Sequence, residues 1–177
     1  MSKTIRFNLS SSSIENAIKE IKQYQTELNR KCELFCQRLT ELGKITAEAH
    51  IAESSLGKYV GVTTTFTPEQ MGCKAVLIAT GGAIASTYGG EILPLMMIEF
   101  GAGIHYNSIP NPNADKFGMG VGTYPGQTHA YQDSWSYLGN DGEWHSTHGV
   151  KATMPMYNAS TEMILNIQKI AKEVFKS

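Results

Sequence analysis

Charge is scarce in this chain, and neither sign prevails. Only 18% of its 177 residues are charged, and 15 Lys+Arg stand against 16 Asp+Glu, a formal net charge of −1. A protein that binds nucleic acid through a basic face needs a surplus of cations, and there is none. Cysteine is nearly absent as well. The three present, Cys32, Cys36 and Cys73, are an odd number, which argues against a disulfide scaffold and suits a reducing compartment. Cys32 and Cys36 stand four apart in a helical stretch, not at the C-x-x-C spacing of zinc ribbons or redox loops, and read as free thiols on one helix face. No apolar run is long enough to cross a membrane. Met1 to Arg6 shows no leader-like apolar core, so a secreted scaffold is not expected. Nucleophile elbows, H-E-x-x-H and P-loops are missing too. Gly118-Met-Gly-Val-Gly122 has its third glycine at the wrong place, and lacks the strand–helix setting, for a dinucleotide loop.

What is present is 41% apolar residues, enough for a single domain of ordinary size spanning residues 1–177. Its charge is unevenly spread. Residues 1–60 hold 16 of the 31 charged side chains, whereas residues 101–150 hold five, together with nine of the 17 glycines and seven of the 16 aromatics. Four regions follow: a helical front (1–57), a sheet region (58–100), a Gly/aromatic-rich arm (101–150) and a C-terminal helix (151–177).

In the front, Ser12 and Glu15 have capping-box spacing. Ile14, Ile18, Ile21, Gln25, Leu28, Cys32, Phe35, Leu39 and Leu42 then repeat at intervals of four and three, and Gly43 predicts a C-cap. A short second helix is expected from Ile45 to Glu53. The stripe suits packing on a sheet or helix, and its heptads also admit a dimeric coiled coil over 14–42. Val60 to Phe66 and Cys73 to Thr80 predict strands, with a turn from Pro68 to Gly72. The run Ile92 to Phe100 is apolar, and period alone does not separate helix from strand. Residues 101–150 keep no period. Thr153 to Lys176 predicts an amphipathic helix, with Pro155 in its first turn. The fold class expected is α+β: a long N-terminal helix, a small mostly antiparallel sheet, and a C-terminal helix packed on it, with the arm projecting or folding over when neighbours are present.

The chemistry candidates sit in the arm. His105, His129, His145 and His148 lie near Asp133, Asp141 and Glu143, but solvated loop histidines are the simpler reading. The same acids with Trp135 and Trp144 have the makings of a wall-glycan site, either cleaving or binding. Nothing in the spacing singles out an acid or a base. Tyr106, Phe117, Tyr124, Tyr131, Trp135, Tyr137 and Trp144, among so few charges, have the composition of a protein–protein interface and are the candidate subunit contacts.

Several segments together resemble a family of bacteriophage structural proteins. Met97-Ile-Glu-Phe-Gly-Ala-Gly103 is similar to its I-E-F-G-(T/A)-G signature, with Ala102 where many members carry Thr. His105-Tyr106, Gly122-Thr-Tyr-Pro-Gly126, Asp133-Ser-Trp-Ser-Tyr137, Gly142-Glu-Trp144, Thr147-His-Gly149 and Ala152-Thr-Met-Pro-Met-Tyr-Asn-Ala159 follow in the order found in members from phages of Gram-positive hosts. The family is that of the gene-product-ten-like minor virion proteins of the head–tail joining (neck or tail-completion) region in long-tailed phages and prophages. The resemblance covers about residues 90–176 by motif and the front by layout only. It implies a non-enzymatic subunit without cofactor, made in the host cytoplasm and built into the virion as a ring, a hexamer or dodecamer, beside portal-side or tail-tube proteins. It implies no membrane and no specific nucleic-acid partner. Glu99 and Gly101 are expected to be structural, as a local cap or turn and a close backbone approach.

Overall fold

The computed structural model describes residues 4–70, 72–85, 91–105, 107, 109–119, 131–139 and 141–176. Helix α1 runs unbroken over Ser11–Ala52, roughly 63 Å at 1.5 Å per residue. Its cap is Ser10, two residues earlier than expected. Asn8 Oδ1 accepts from Ser10 N (3.0 Å) and Ser10 Oγ (2.6 Å), and Ser10 Oγ in turn accepts from Ser13 N (3.4 Å). Gly43 does not end the helix, and no second helix follows it. A Cβ at Gly43 would stand 2.6 Å from Met163 Sδ and 3.2 Å from Leu77 Cδ2. The missing side chain therefore lets neighbouring elements come close, which offsets the roughly 1 kcal/mol that glycine costs within a helix.

After a 3-10 turn at Gly57–Tyr59, β1 (Val60–Glu69) pairs antiparallel with β2 (Gly72–Gly81), in register from Val60↔Gly81 to Glu69↔Gly72. The strands thus consume most of the expected Pro68–Gly72 turn. Pro68 is tolerated because β1 has an open edge, where a missing N–H costs no ladder bond. Period two sorts the faces. Val62 is buried and Val60, Thr64, Ala75, Leu77 and Ala79 are half-buried, while Thr63, Thr65, Val76 and Ile78 face outward.

A two-residue ribbon, β3 (Ile84–Ala85) with β4 (Glu91–Ile92), leads into α2 (Pro94–Phe100). Pro94 opens that helix at a position where its lost N–H does no harm, which settles the ambiguous apolar run as helix. The arm contains structure that no period announced. Ala114–Phe117 is a 3-10 turn, and β5 (Trp135–Leu138) pairs with β6 (Trp144–Thr147). The described strands thus form three separate two-stranded sheets rather than one.

Helix α3 (Pro155–Lys176) closes the fold. It runs antiparallel to α1: Phe175 packs on Phe35 with ring centroids 6.0 Å apart, Glu173 pairs with Arg38 at 3.5 Å, and Met163 lies over Gly43. The core joins α1, α3 and the inner face of the hairpin through Ala47, Ile51, Val62 and Ala159, with Val60, Leu77 and Met156 packed around them. All three cysteines are free and half-buried. The Cys36 thiol donates to the Cys73 carbonyl at 3.4 Å. Burial first, and then the neighbouring Cys73 and Cys32, push it above the ordinary thiol range. No helix among the described residues is long and apolar enough to cross a membrane.

Candidate functional site

The start of α3 is fastened by residues far away in sequence. The first amides of a helix have no partner within it and need an acceptor. Just before Pro155, the Met154 carbonyl takes Asn158 N (2.9 Å) and the Thr153 hydroxyl has no partner among the described residues, which leaves Met156 N and Tyr157 N to be capped. Glu99, 8% exposed at the end of α2, supplies the acceptor: its carboxylate accepts from Met156 N (2.9 Å), Tyr157 N (3.0 Å) and Asn111 Nδ2 (2.9 Å). A carboxylate here also meets the positive end of the helix dipole. Glu99 is thus a cap, as expected, but for α3 rather than for its own neighbourhood.

Asn107 makes a second knot. Its buried amide donates to the carbonyls of Ala102 (3.2 Å), Gly103 (2.8 Å) and Val150 (3.0 Å), and its oxygen accepts from Ala152 N (2.6 Å). Ala102 and Val150 bridge each other through two backbone hydrogen bonds, 2.8 and 2.9 Å. Gly101, at φ +79°, passes so close to the Asn107 amide that a side chain there would collide with it. Met154, at φ +52°, takes the left-handed turn that swings the chain into α3, and its N–H and that of Thr153 both reach Ile98 O. The segments 97–103 and 152–159, two of those that carry the family resemblance, therefore meet in one scaffold node. Sequence reasoning missed Asn107 and Asn111 because their partners lie up to 45 residues away and no local pattern marks them.

Beyond this node hangs the β5–β6 ribbon. It overlies an open cleft of about 660 Å³ whose walls include Ile84, Ile92, Met97, Trp135, Tyr137 and Val150. The register splits the predicted aromatics between faces. Trp135 and Tyr137 share the cleft side with His145 and Thr147, and Tyr137 stacks on His145 at 5.6 Å. Trp144 lies on the opposite face and is 69% exposed. Phe117 leans on Phe100 at 5.7 Å with most of its ring in solvent. Tyr131 is exposed and held by its carbonyl, which accepts from His105 Nε2 at 2.9 Å. Tyr106 and Tyr124 lie outside the described residues, as do His129 and the Gly122–Gly126 motif. Among the described residues, the five remaining aromatics are spread over several faces, and of these Trp135 and Tyr137 share one.

Asp141 and the histidines of this ribbon hold its turns. Asp141 accepts from Glu143 N (3.0 Å) and from His145 Nε2 (2.8 Å), and those two donors, the amide foremost, hold its carboxyl below the usual carboxylate range. A general acid needs the opposite shift. The Thr147 hydroxyl, on the same side of the ribbon as His145, accepts from Gly149 N (3.0 Å), and His148 Nδ1 donates to the Asp133 carbonyl (2.8 Å). Among the described residues, no three His, Cys, Asp or Glu side chains converge as a metal-binding group.

Exposed apolar surface also lies elsewhere, on α1. Phe35 and Arg38 meet the far end of α3, and the hairpin tip reaches α1 at Cys36. From residue 11 to about residue 31 the helix continues for roughly 30 Å with nearly every side chain exposed, Ala17 being buried. Ile14, Ile18, Ile21 and Leu28 on its stripe are 37%, 47%, 54% and 40% exposed. Searches against protein-family models, curated proteins and solved structures find no match to this chain.

Proposed function

We propose that this chain is a structural subunit of the head–tail joining region of a long-tailed bacteriophage or prophage, built into the virion as a homo-oligomeric ring. The observation that carries this reading is the bare half of α1. A lone amphipathic helix of about 20 residues is marginal in water, because helices in proteins draw their stability from packing an apolar face. A chain that extends such a helix past its own body is a part of something larger. Two further features agree. Two of the segments that resemble the neck family, 97–103 and 152–159, meet at a scaffold node made of backbone carbonyls, two asparagines and a capping glutamate, which is suited to bearing load. Of the arm's acids, Asp141 closes a turn, its carboxylate accepting from Glu143 N and His145 Nε2.

The test is genetic. A nonsense codon in this gene, in the phage or lysogen that carries it, is expected to leave filled heads and finished tails unjoined in electron micrographs. Intact, infectious particles without the protein would overturn the proposal. So would retention of the purified chain on peptidoglycan, which a neck subunit should ignore.

A further inference from the structure

We infer that Cys36 and Cys73 form a redox site: a small disulfide oxidant converts them into an internal disulfide that staples the tip of the β1–β2 hairpin to α1. The chain has three cysteines, and the fold draws them together from two elements. Cys32 and Cys36 stand one turn apart on α1, and Cys73 is the second residue of β2, at the hairpin tip opposite Pro68. The Cys36 thiol lies 3.4 Å from the Cys73 carbonyl. After burial, it is the charge of the Cys73 thiol and a hydrogen bond with it that keep Cys36 protonated, so the two side chains are within reach of each other. Both residues line one open trough of about 600 Å³ between α1, β2 and α3, and Cys32 is not on its wall. Residues four apart on a helix also hold their Cβ atoms about 5–6 Å apart, too far for a disulfide, which needs roughly 3.5–4.5 Å. Cys36 is therefore the partner of Cys73, and Cys32 is the thiol left over.

The step is thiol–disulfide exchange with glutathione disulfide. Cys73 meets the oxidant first, because its contact with the Lys74 carbonyl (3.7 Å) is exposed, whereas the Cys36 contact is partly buried. The Cys73 thiol gives its proton to water, and its sulfur attacks one sulfur of the oxidant and expels a glutathione thiolate. Cys36 then loses its proton, attacks the Cys73 sulfur of the mixed disulfide and expels the second. Two cysteine thiols are oxidised and one glutathione disulfide is reduced to two glutathiones. The last five residues of β1, Thr65–Glu69, are all exposed, and local opening starts where buried contacts are few. A link across 37 residues at that tip removes chain entropy from the unfolded state. A reducing interior keeps the pair open, and oxidising surroundings close it. Both sulfurs belong to one chain, so the inference stands apart from the ring reading.

The test treats the reduced full chain, at high dilution, with glutathione disulfide, alkylates the remaining thiols and maps the peptides by mass spectrometry. One intramolecular link between the Cys36 and Cys73 peptides is expected, with Cys32 alkylated. The melting temperature should rise by roughly 10 °C and fall back on reduction with dithiothreitol. Cys32→Ser should behave as the parent, whereas Cys36→Ser and Cys73→Ser should gain neither the link nor the rise. A parent that keeps three free thiols, stops at a glutathione adduct, links through Cys32 or cross-links two chains overturns the inference. A Cys36–Cys73 link that leaves the melting temperature unchanged overturns it too, since nothing would then be stapled.

Discussion

Replacing Glu99 by alanine is expected to destabilise the chain by about 3–4 kcal/mol, the largest effect of any single side chain. Three donors lose the carboxylate at once: two α3 amides, and the Asn111 amide, which keeps the Glu99 carbonyl. Hydrogen bonds to a charged group contribute about 1.5–3 kcal/mol each, and leaving a buried donor unpaired adds to the loss. For a domain of this size the melting temperature should fall by roughly 10 °C. Glu99→Gln keeps one acceptor oxygen but turns an NH2 group toward donors, so about half of that loss is expected. The physical account also predicts where the damage appears: amide exchange should rise at Met156 and Tyr157 before it rises in the middle of α3. A Glu99→Ala protein that melts within 2 °C of the parent, a small shift on the scale just given, would show that water caps α3 equally well.

The second large effect lies across the node. Gly149→Ala is expected to cost about 3 kcal/mol or more. Its φ of +103° is strained for any residue with a Cβ, and the added methyl would collide with the Ala102 carbonyl and stand 3.1 Å from the Trp135 ring. The Ala102–Val150 bridge must then open. Gly142→Ala is the matched control. It shares a positive φ, +80°, but has nothing within 4 Å of the new carbon, so only the conformational cost of about 1 kcal/mol remains. The difference between the two variants isolates the collision. Equal losses would mean that the base of the arm yields freely, and that the node does not hold it.

The elements legible in the sequence were those whose signal is local and long. The α1 stripe runs for over seven turns, and the Pro155 start of α3 and the alternation in β1 and β2 are equally local. Gly43 misled because a glycine after an apolar run announces a C-cap and a close helix approach in the same way, and only Met163, 120 residues later in the chain, decides between them. The β5–β6 ribbon escaped notice because four-residue strands offer just two alternations. Its Trp135 and Tyr137 were legible as anchors, but not that Trp144 turns to the other face. Least legible was the node, where every important bond joins residues distant in sequence. The stripe was visible too, yet nothing in it showed that α3 and the hairpin cover only its second half. That asymmetry came from where α3 stops, beside Phe35, and it is the basis of the functional proposal.

The most direct measurement is the solution mass of the unmodified full-length chain by light scattering, over a concentration series at two salt strengths. Burial of an apolar seam depends little on ionic strength, so the account predicts a closed assembly, a hexamer or dodecamer of the 19.4 kDa chain, at both salts. A mass of one chain at every concentration would contradict it.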